Sequence, residues 1–299
     1  MSSTSRAMNS AMTHYKKTGK IRDCLLVCFT QRGKWLSHPF LDKADCGNLP
    51  QQIIPANSLV KISPNGQMRL LCTFLNPTKN AINLAYHHVA GSIFVRKTLQ
   101  FTAPNLQTVE GDLYADFVTT IDARNLHTVG GSLYADCATT FDAQNLHTVG
   151  GSLYADSATT FNIPNLQSVG GSLYAESATT FNIPNLQSVG EVLYLSSVKT
   201  FNFPILQTVG GCLFANSATT FDAQNLQIVE GDLHTPDTKT FIAPNLQIVD
   251  GYLNAGSATI FNAPKLVTVN GELILPSATM HTAVSDDCPA AVAVIADTL

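Results

Sequence analysis

A 20-residue unit recurs nine times without a gap, in blocks beginning at residues 101, 121, 141, 161, 181, 201, 221, 241 and 261. Three positions never vary: Leu at position 6 (Leu106 to Leu266), Val at position 9 (Val109 to Val269) and Leu at position 13 (Leu113 to Leu273). Position 1 is Phe except at Ile121, and position 11 is Gly except at Glu191. A fixed period of this length with unvarying apolar positions leaves one class of architecture. Each unit is too short to bury its own apolar face, so it must bury it against the units before and after, as a solenoid does.

Within a unit, Ser152-Leu153-Tyr154-Ala155-Asp156 alternates in the manner of a half-buried strand. Leu and Ala point inward; Ser, Tyr and Asp point outward. One such strand per unit, stacked in register, builds a parallel sheet with coils about 4.8 Å apart. The glycines at positions 10 and 11 suit a tight corner, through positive φ or close backbone approach. Pro at position 4 keeps the return path extended. Phe at position 1, Leu at 6, Val at 9, Leu at 13 and Ala at 15 supply the interior. Asn at position 5 (Asn105, Asn125, Asn145, Asn165, Asn185, Asn225, Asn245) can donate to and accept from backbone groups at a bend, a structural role. The expected fold is mainly β: a parallel, right-handed β-solenoid of nine to ten coils over residues 81–280. Val89–Val95 forms a degenerate first coil, and 281–299, with the apolar stretch Ala290–Ala296, forms a C-terminal cap.

Residues 1–80 are a separate, partly disordered basic segment. Residues 1–100 carry 13 Lys/Arg and 3 Asp, against 4 Lys/Arg and 18 Asp/Glu in 101–299. The net charge of −4 therefore hides +10 followed by −14. A basic arm beside an acidic rod allows self-association, and the acidic rod disfavours nucleic acid. No apolar run is long enough for a membrane span or the core of a signal peptide, so the chain is expected in the cytoplasm, or exported without a standard signal peptide as an effector. Seven cysteines, an odd number, point to free thiols. Leu59–Ile62 and Thr73–Leu75 are expected as short strands, and Cys24–Cys28 as part of a buried strand or helix.

Two ladders stand out as binding surface. Position 14 gives Tyr114, Tyr134, Tyr154, Tyr174, Tyr194 and Phe214; position 16 gives Asp116, Asp136, Asp156 and Glu176. Stacked tyrosines offer contact area with a polar tip, and carboxylates beside them suit a basic protein partner. Other chemistry is poorly supplied. One carboxylate per coil is too few oxygens for Ca²⁺. Adjacent threonines at positions 19 and 20 present one outward hydroxyl per coil, short of an ice-binding lattice. His127 and His147 share position 7, and Cys24, Cys28, His38 and Cys46 have zinc-ligand types but not a standard spacing. No motif implies a cofactor.

The string Asn-Leu-Gln-x-Val-x-Gly-x-Leu-Tyr, at Asn105–Tyr114 and Asn165–Tyr174, resembles the repeat of receptor L domains, relatives of leucine-rich repeats, and similar arrays in bacterial and phage proteins. The resemblance implies that the strand face binds, at positions 12, 14 and 16. Non-catalytic binding of a macromolecule is the expected function. The alternatives are a carbohydrate-active β-helix, or an effector with its activity in the N-terminal segment.

Overall fold

The structure is a computed structural model that describes residues 86–95 and 98–276, with shorter stretches at 25–28, 59–62, 67–70, 74–75, 81–84 and 280–282. It is a parallel β-solenoid of about ten 20-residue coils, and the described residues contain no helix. Each coil carries three short strands rather than the single one expected. In the coil around residue 150 these are Thr140–Asp142, Thr148–Val149 and Leu153–Tyr154. Within the repeats the strands pair in parallel with their equivalents 20 residues on, as in Leu133↔Leu153 and Val129↔Val149, save at one break on one face. The coil is therefore three-sided. Its corners are a turn at positions 3–6, closed by Leu146 N–H donating to the Ala143 carbonyl (2.9 Å), the glycine corner at 10–12, and a turn at 15–18, closed by Ala158 N–H to Ala155 carbonyl (3.0 Å).

The interior follows from this three-sided path. Positions 1, 6, 9 and 13 lie buried, as in Phe161, Leu166, Val169 and Leu173. Ala at 15 is buried too, and so are two positions not expected: 3 (Ala143, Ile163) and 18 (Ala158, Ala178). Positions 3, 15 and 18 flank two corners, where the chain bends over the core and mostly small side chains fit. At the third corner, a Cβ built on Gly150 or Gly170 would collide with the carbonyl oxygen of Gly130 or Gly150 in the preceding coil. The requirement at these positions is close approach, since neither glycine adopts a left-handed φ.

Two polar ladders hold corners together. Asn at position 5 donates to the carbonyl of position 4 one coil back: Asn165 Nδ2 to Gln144 O (2.8 Å), Asn185 Nδ2 to Pro164 O (2.8 Å), Asn225 Nδ2 to Pro204 O (2.6 Å). Position 12 behaves differently from the outward residue the alternation implies. Its side chain accepts the position-12 amide of the next coil: Ser132 Oγ from Ser152 N–H (3.0 Å), Ser152 Oγ from Ser172 N–H (3.0 Å), Asp232 Oδ1 from Tyr252 N–H (3.0 Å). Cys212 keeps the role with sulfur, accepting from Asp232 N–H at 3.4 Å.

The sheets are not equally continuous. On the first face, built by strands like Thr148–Val149, and the second, built by strands like Leu153–Tyr154, the ladder runs through the whole stack, whereas the third, built by strands like Thr140–Asp142, divides between Thr180–Asn182 and Thr200–Asn202. The division falls where the interior enlarges: Leu195 and Val198 stand in place of the usual Ala, followed by Phe203. The interruption coincides with these larger side chains, and a close-packed core has little slack to absorb them.

The stack begins earlier than residue 81. With β1 defined as Leu25–Cys28, β2 as Leu59–Ile62 and β3 as Met68–Leu70, β3 already pairs in parallel with His88–Val89. Strands β1 and β2 add to the same sheet antiparallel, through Leu25↔Ile62 and Val60↔Leu70. The expected strand near Thr73–Leu75 is Phe74–Leu75. The proposed C-terminal cap lies outside the described residues, apart from Met280–Thr282, which closes the third face.

Leu153→Ala is expected to cost about 2–5 kcal/mol, because it opens a cavity in a buried column. Ser152→Ala is expected to cost about 1 kcal/mol, because it removes the acceptor of the Ser172 amide. Urea unfolding of both variants checks this; a silent Ser152→Ala would mean that the position-12 ladder contributes nothing.

Candidate functional site

The second sheet presents position 14 outward, half-buried, between the buried Leu at 13 and Ala at 15. The rings stack because parallel register sets identical side chains one coil apart. Centroid separations are 4.4 Å for Phe94–Tyr114, 4.7 Å for Tyr114–Tyr134, 5.0 Å for Tyr134–Tyr154 and 5.3 Å for Tyr154–Tyr174, with planes within 9° of parallel. Beyond Tyr174 the stack loosens. Tyr174–Tyr194 are 6.1 Å apart and tilted by 43°, and Tyr194–Phe214 by 57°. The loosening begins at the coil that carries Leu195, Val198 and the break in the third sheet. The ladder continues through His234, tilted 51° to Phe214, and gives way to Asn254 at position 14; Tyr252, from position 12, meets His234 edge-on with its hydroxyl 3.1 Å from Nδ1. Phe94 and His234 extend the strip beyond the residues read from the sequence. Phe94 was visible in the degenerate Val89–Val95 coil, and His234 was hidden by the change of residue type.

Position 16 lies not on the strand, as expected, but in the turn that follows it. Asp116, Asp136 and Asp156 are half-buried there, and Glu176 is exposed. Asp116 Oδ1 and Asp136 Oδ1 are sealed from solvent without a hydrogen-bond partner, and so are Ser196 Oγ and Asn216 Oδ1 at the same repeat position. Burial pushes the Asp116 carboxyl above the usual aspartate range. Asp136 is pushed up by burial first, then by the charges of Asp156 and Asp116, with the Asp156 backbone amide acting in the opposite direction. The Glu176 amide donates to Asp156 Oδ1 at 3.4 Å.

The remaining candidates do not converge on a reactive centre. His127 and His147 stack at 5.6 Å, and each ring Nδ1 meets a backbone carbonyl, Asn125 O at 2.6 Å and Asn145 O at 2.5 Å. A carbonyl can only accept, so Nδ1 carries the proton in each ring. Among the described residues no three His, Cys, Asp or Glu side chains gather as metal ligands. Of the N-terminal zinc-type set, Cys24, His38 and Cys46 lie outside the described residues. Threonines at position 19 donate to backbone carbonyls, as Thr119 Oγ1 to Leu99 O (2.9 Å) and Thr219 Oγ1 to Lys199 O (3.1 Å). Arg124 is engaged on the third face by Asp122 (2.8 Å) and Asp142 (3.4 Å). Arg69 pairs with Glu110 near the N-terminal end. No described helix is long and apolar enough to cross a membrane.

The fold thus defines the chain as a tandem-repeat β-solenoid. No family model, no curated protein and no solved structure matches it.

Tyr154→Ala removes a ring stacked on both sides, where each aromatic pair contributes about 0.5–1.5 kcal/mol beyond buried area. A loss of about 1–3 kcal/mol in urea unfolding is expected. Tyr194→Ala, in the tilted part of the ladder, is expected to lose less; equal losses would mean that ring geometry does not matter.

Proposed function

We propose that this solenoid is a non-catalytic scaffold that binds a basic protein segment along the outer side of its second sheet. The observation that carries the reading is the ring ladder from Phe94 to Phe214, stacked as far as Tyr174 and tilted beyond it, flanked over Tyr114–Tyr174 by the acids of position 16. A long aromatic strip held half in solvent is costly to leave uncovered and offers rigid contact area at little entropic cost. Beside it, the aliphatic stem of an Arg or Lys can pack along the exposed ring edges while its charged head pairs with a carboxylate. Charge supports the same partner. Between residues 98 and 198 the only Lys or Arg is Arg124, which is already paired with Asp122 and Asp142.

The resemblance to receptor L-domain and leucine-rich repeats adds weight to the strand face as the binding face. The exposed free thiol of Cys137 and the half-buried one of Cys212 suit a reducing compartment, consistent with action in the cytoplasm or after export by a route without a standard signal peptide.

The test uses the full chain against an array of extended peptides graded in Arg/Lys content. Basic peptides should bind, and binding should weaken as salt rises. Tyr134→Ser with Tyr154→Ser should reduce affinity at least ten-fold while the β signature in circular dichroism persists. Asp156→Asn with Glu176→Gln should remove mainly the salt-sensitive part. Unchanged affinity in both variants would move the site off this strip.

A further inference from the structure

The tyrosines of position 14 share a ladder but differ in what can receive the phenol proton. Tyr114 donates its hydroxyl to Asp112 Oδ2 at 3.1 Å, within the span of about 2.6–3.2 Å over which a base takes a proton. Asp112 is held in place for this, since its Oδ1 accepts the Ser132 amide at 2.8 Å and its own amide donates to Ser92 Oγ at 3.0 Å. The residue two before each later tyrosine is a far weaker base: Ser132, Ser152 and Ser172, then Val192. Those serine oxygens already accept the Ser152, Ser172 and Val192 amides. Among the described residues Tyr114 alone in the ladder is bonded to a carboxylate.

The rings also differ in how well they communicate. From Tyr114 to Tyr174 successive centroids are 4.7, 5.0 and 5.3 Å apart, with planes within 7° of parallel. Face-to-face π systems this close overlap, so an electron vacancy on one ring can pass to the next. Phe94, stacked on Tyr114 at 4.4 Å, has no hydroxyl proton to lose and closes the series at that end. At the other end the 43° tilt of Tyr194 weakens the overlap, and Phe214 again has no hydroxyl. Tyr252 also has a base, His234 Nδ1 at 3.1 Å, but it lies past Phe214 and meets His234 edge-on. The stack is therefore asymmetric, with its proton acceptor at one terminus.

We propose that Tyr114, Tyr134, Tyr154 and Tyr174 form a redox relay, in which an outer-sphere one-electron oxidant takes an electron from any ring of the stack and the vacancy settles at Tyr114 as a neutral phenoxyl radical. In that step the oxidant is reduced by one electron. The O–H bond of Tyr114 breaks, its proton moves along the existing hydrogen bond to Asp112 Oδ2, and the charge of the carboxylate is neutralised as the electron leaves. A phenol that has lost an electron is a strong acid, so the vacancy rests where a base is already in contact. Until then the phenol keeps its proton, because burial first and the Asp112 bond second push it above the usual tyrosine range. The relay is independent of partner binding: its failure would leave the binding reading standing, and the reverse.

The test uses the full chain with accessible thiols alkylated, since exposed Cys137 would itself be oxidised. The oxidant is the photogenerated trivalent form of a tris-bipyridyl ruthenium complex, and a nitroso spin trap with peptide mapping locates the radical. In the parent, adducts should fall at least about ten-fold more on Tyr114 than on Tyr154 or Tyr174, the low side of what a positioned base contributes. Asp112→Asn, whose amide oxygen can still accept the Ser132 N–H, should abolish that preference. Tyr134→Leu breaks the stack between Tyr154 and Tyr114, and adducts should appear on Tyr154 and Tyr174 instead. Tyr194→Phe should leave the parent distribution unchanged. Circular dichroism checks that each variant keeps the β-solenoid. Adducts spread evenly over the stack in the parent, or a distribution that neither Asp112→Asn nor Tyr134→Leu alters, would overturn the relay.

Discussion

Every feature of this molecule depends on one constraint: the backbone of each coil is hydrogen-bonded by the coils beside it, at a fixed offset of 20 residues. Strands of two or three residues have no stability of their own; they exist because three of them per coil are extended by identical strands above and below. The same offset forces identical side chains to stack. Each repeat position must therefore carry a residue that tolerates its own image about 4.8 Å away. Leu and Phe gain dispersion contacts, Tyr gains a ring stack, and Asn and Ser pass hydrogen bonds from coil to coil. Asp at position 16 is the exception, since its image repels it.

The departures from the repeat are interpretable in the same terms. Val192 cannot accept an amide as Ser does, and it falls beside Glu191, whose carboxylate accepts the Ser172 hydroxyl at 3.0 Å. Ser172 Oγ in turn accepts the Val192 amide at 3.2 Å, so the ladder reaches this coil before the apolar side chain interrupts it. In the same coil Leu195 and Val198 replace alanines, the third sheet divides, and the outer rings tilt away from parallel. An enlarged interior at one coil thus registers on two faces, as expected of a densely packed stack with no loops to absorb a mismatch.

The two polar surfaces have different characters. On the third face, acids at position 2 are neutralised locally by Arg124. At the corner after the second sheet, the acids have no such partner and lie next to the aromatic stack. Charge that a protein leaves uncompensated beside an apolar strip is available to a visitor, and this separates the second face from the other two. The basic first hundred residues carry charge of the opposite sign, so the chain itself contains one segment of the chemistry that this strip would recognise.

The sequence alone determined the solenoid, its period and most of its interior, because invariant Leu, Val and Phe at a fixed spacing have no other way to be buried. It also determined the tyrosine ladder and the structural role of the position-5 asparagines, since both follow from register. Only the tertiary structure revealed three strands per coil, because strands of two or three residues are too short to show alternation; Thr148–Val149 reads as nothing on its own. Only the structure gave Ser at position 12 to the backbone of the next coil and moved Asp at position 16 from an open strand into a half-buried turn. Those two outcomes depend on where the chain bends and which amide arrives above each side chain. That is a property of stacked coils, and no single repeat encodes it in its pattern of polar and apolar residues.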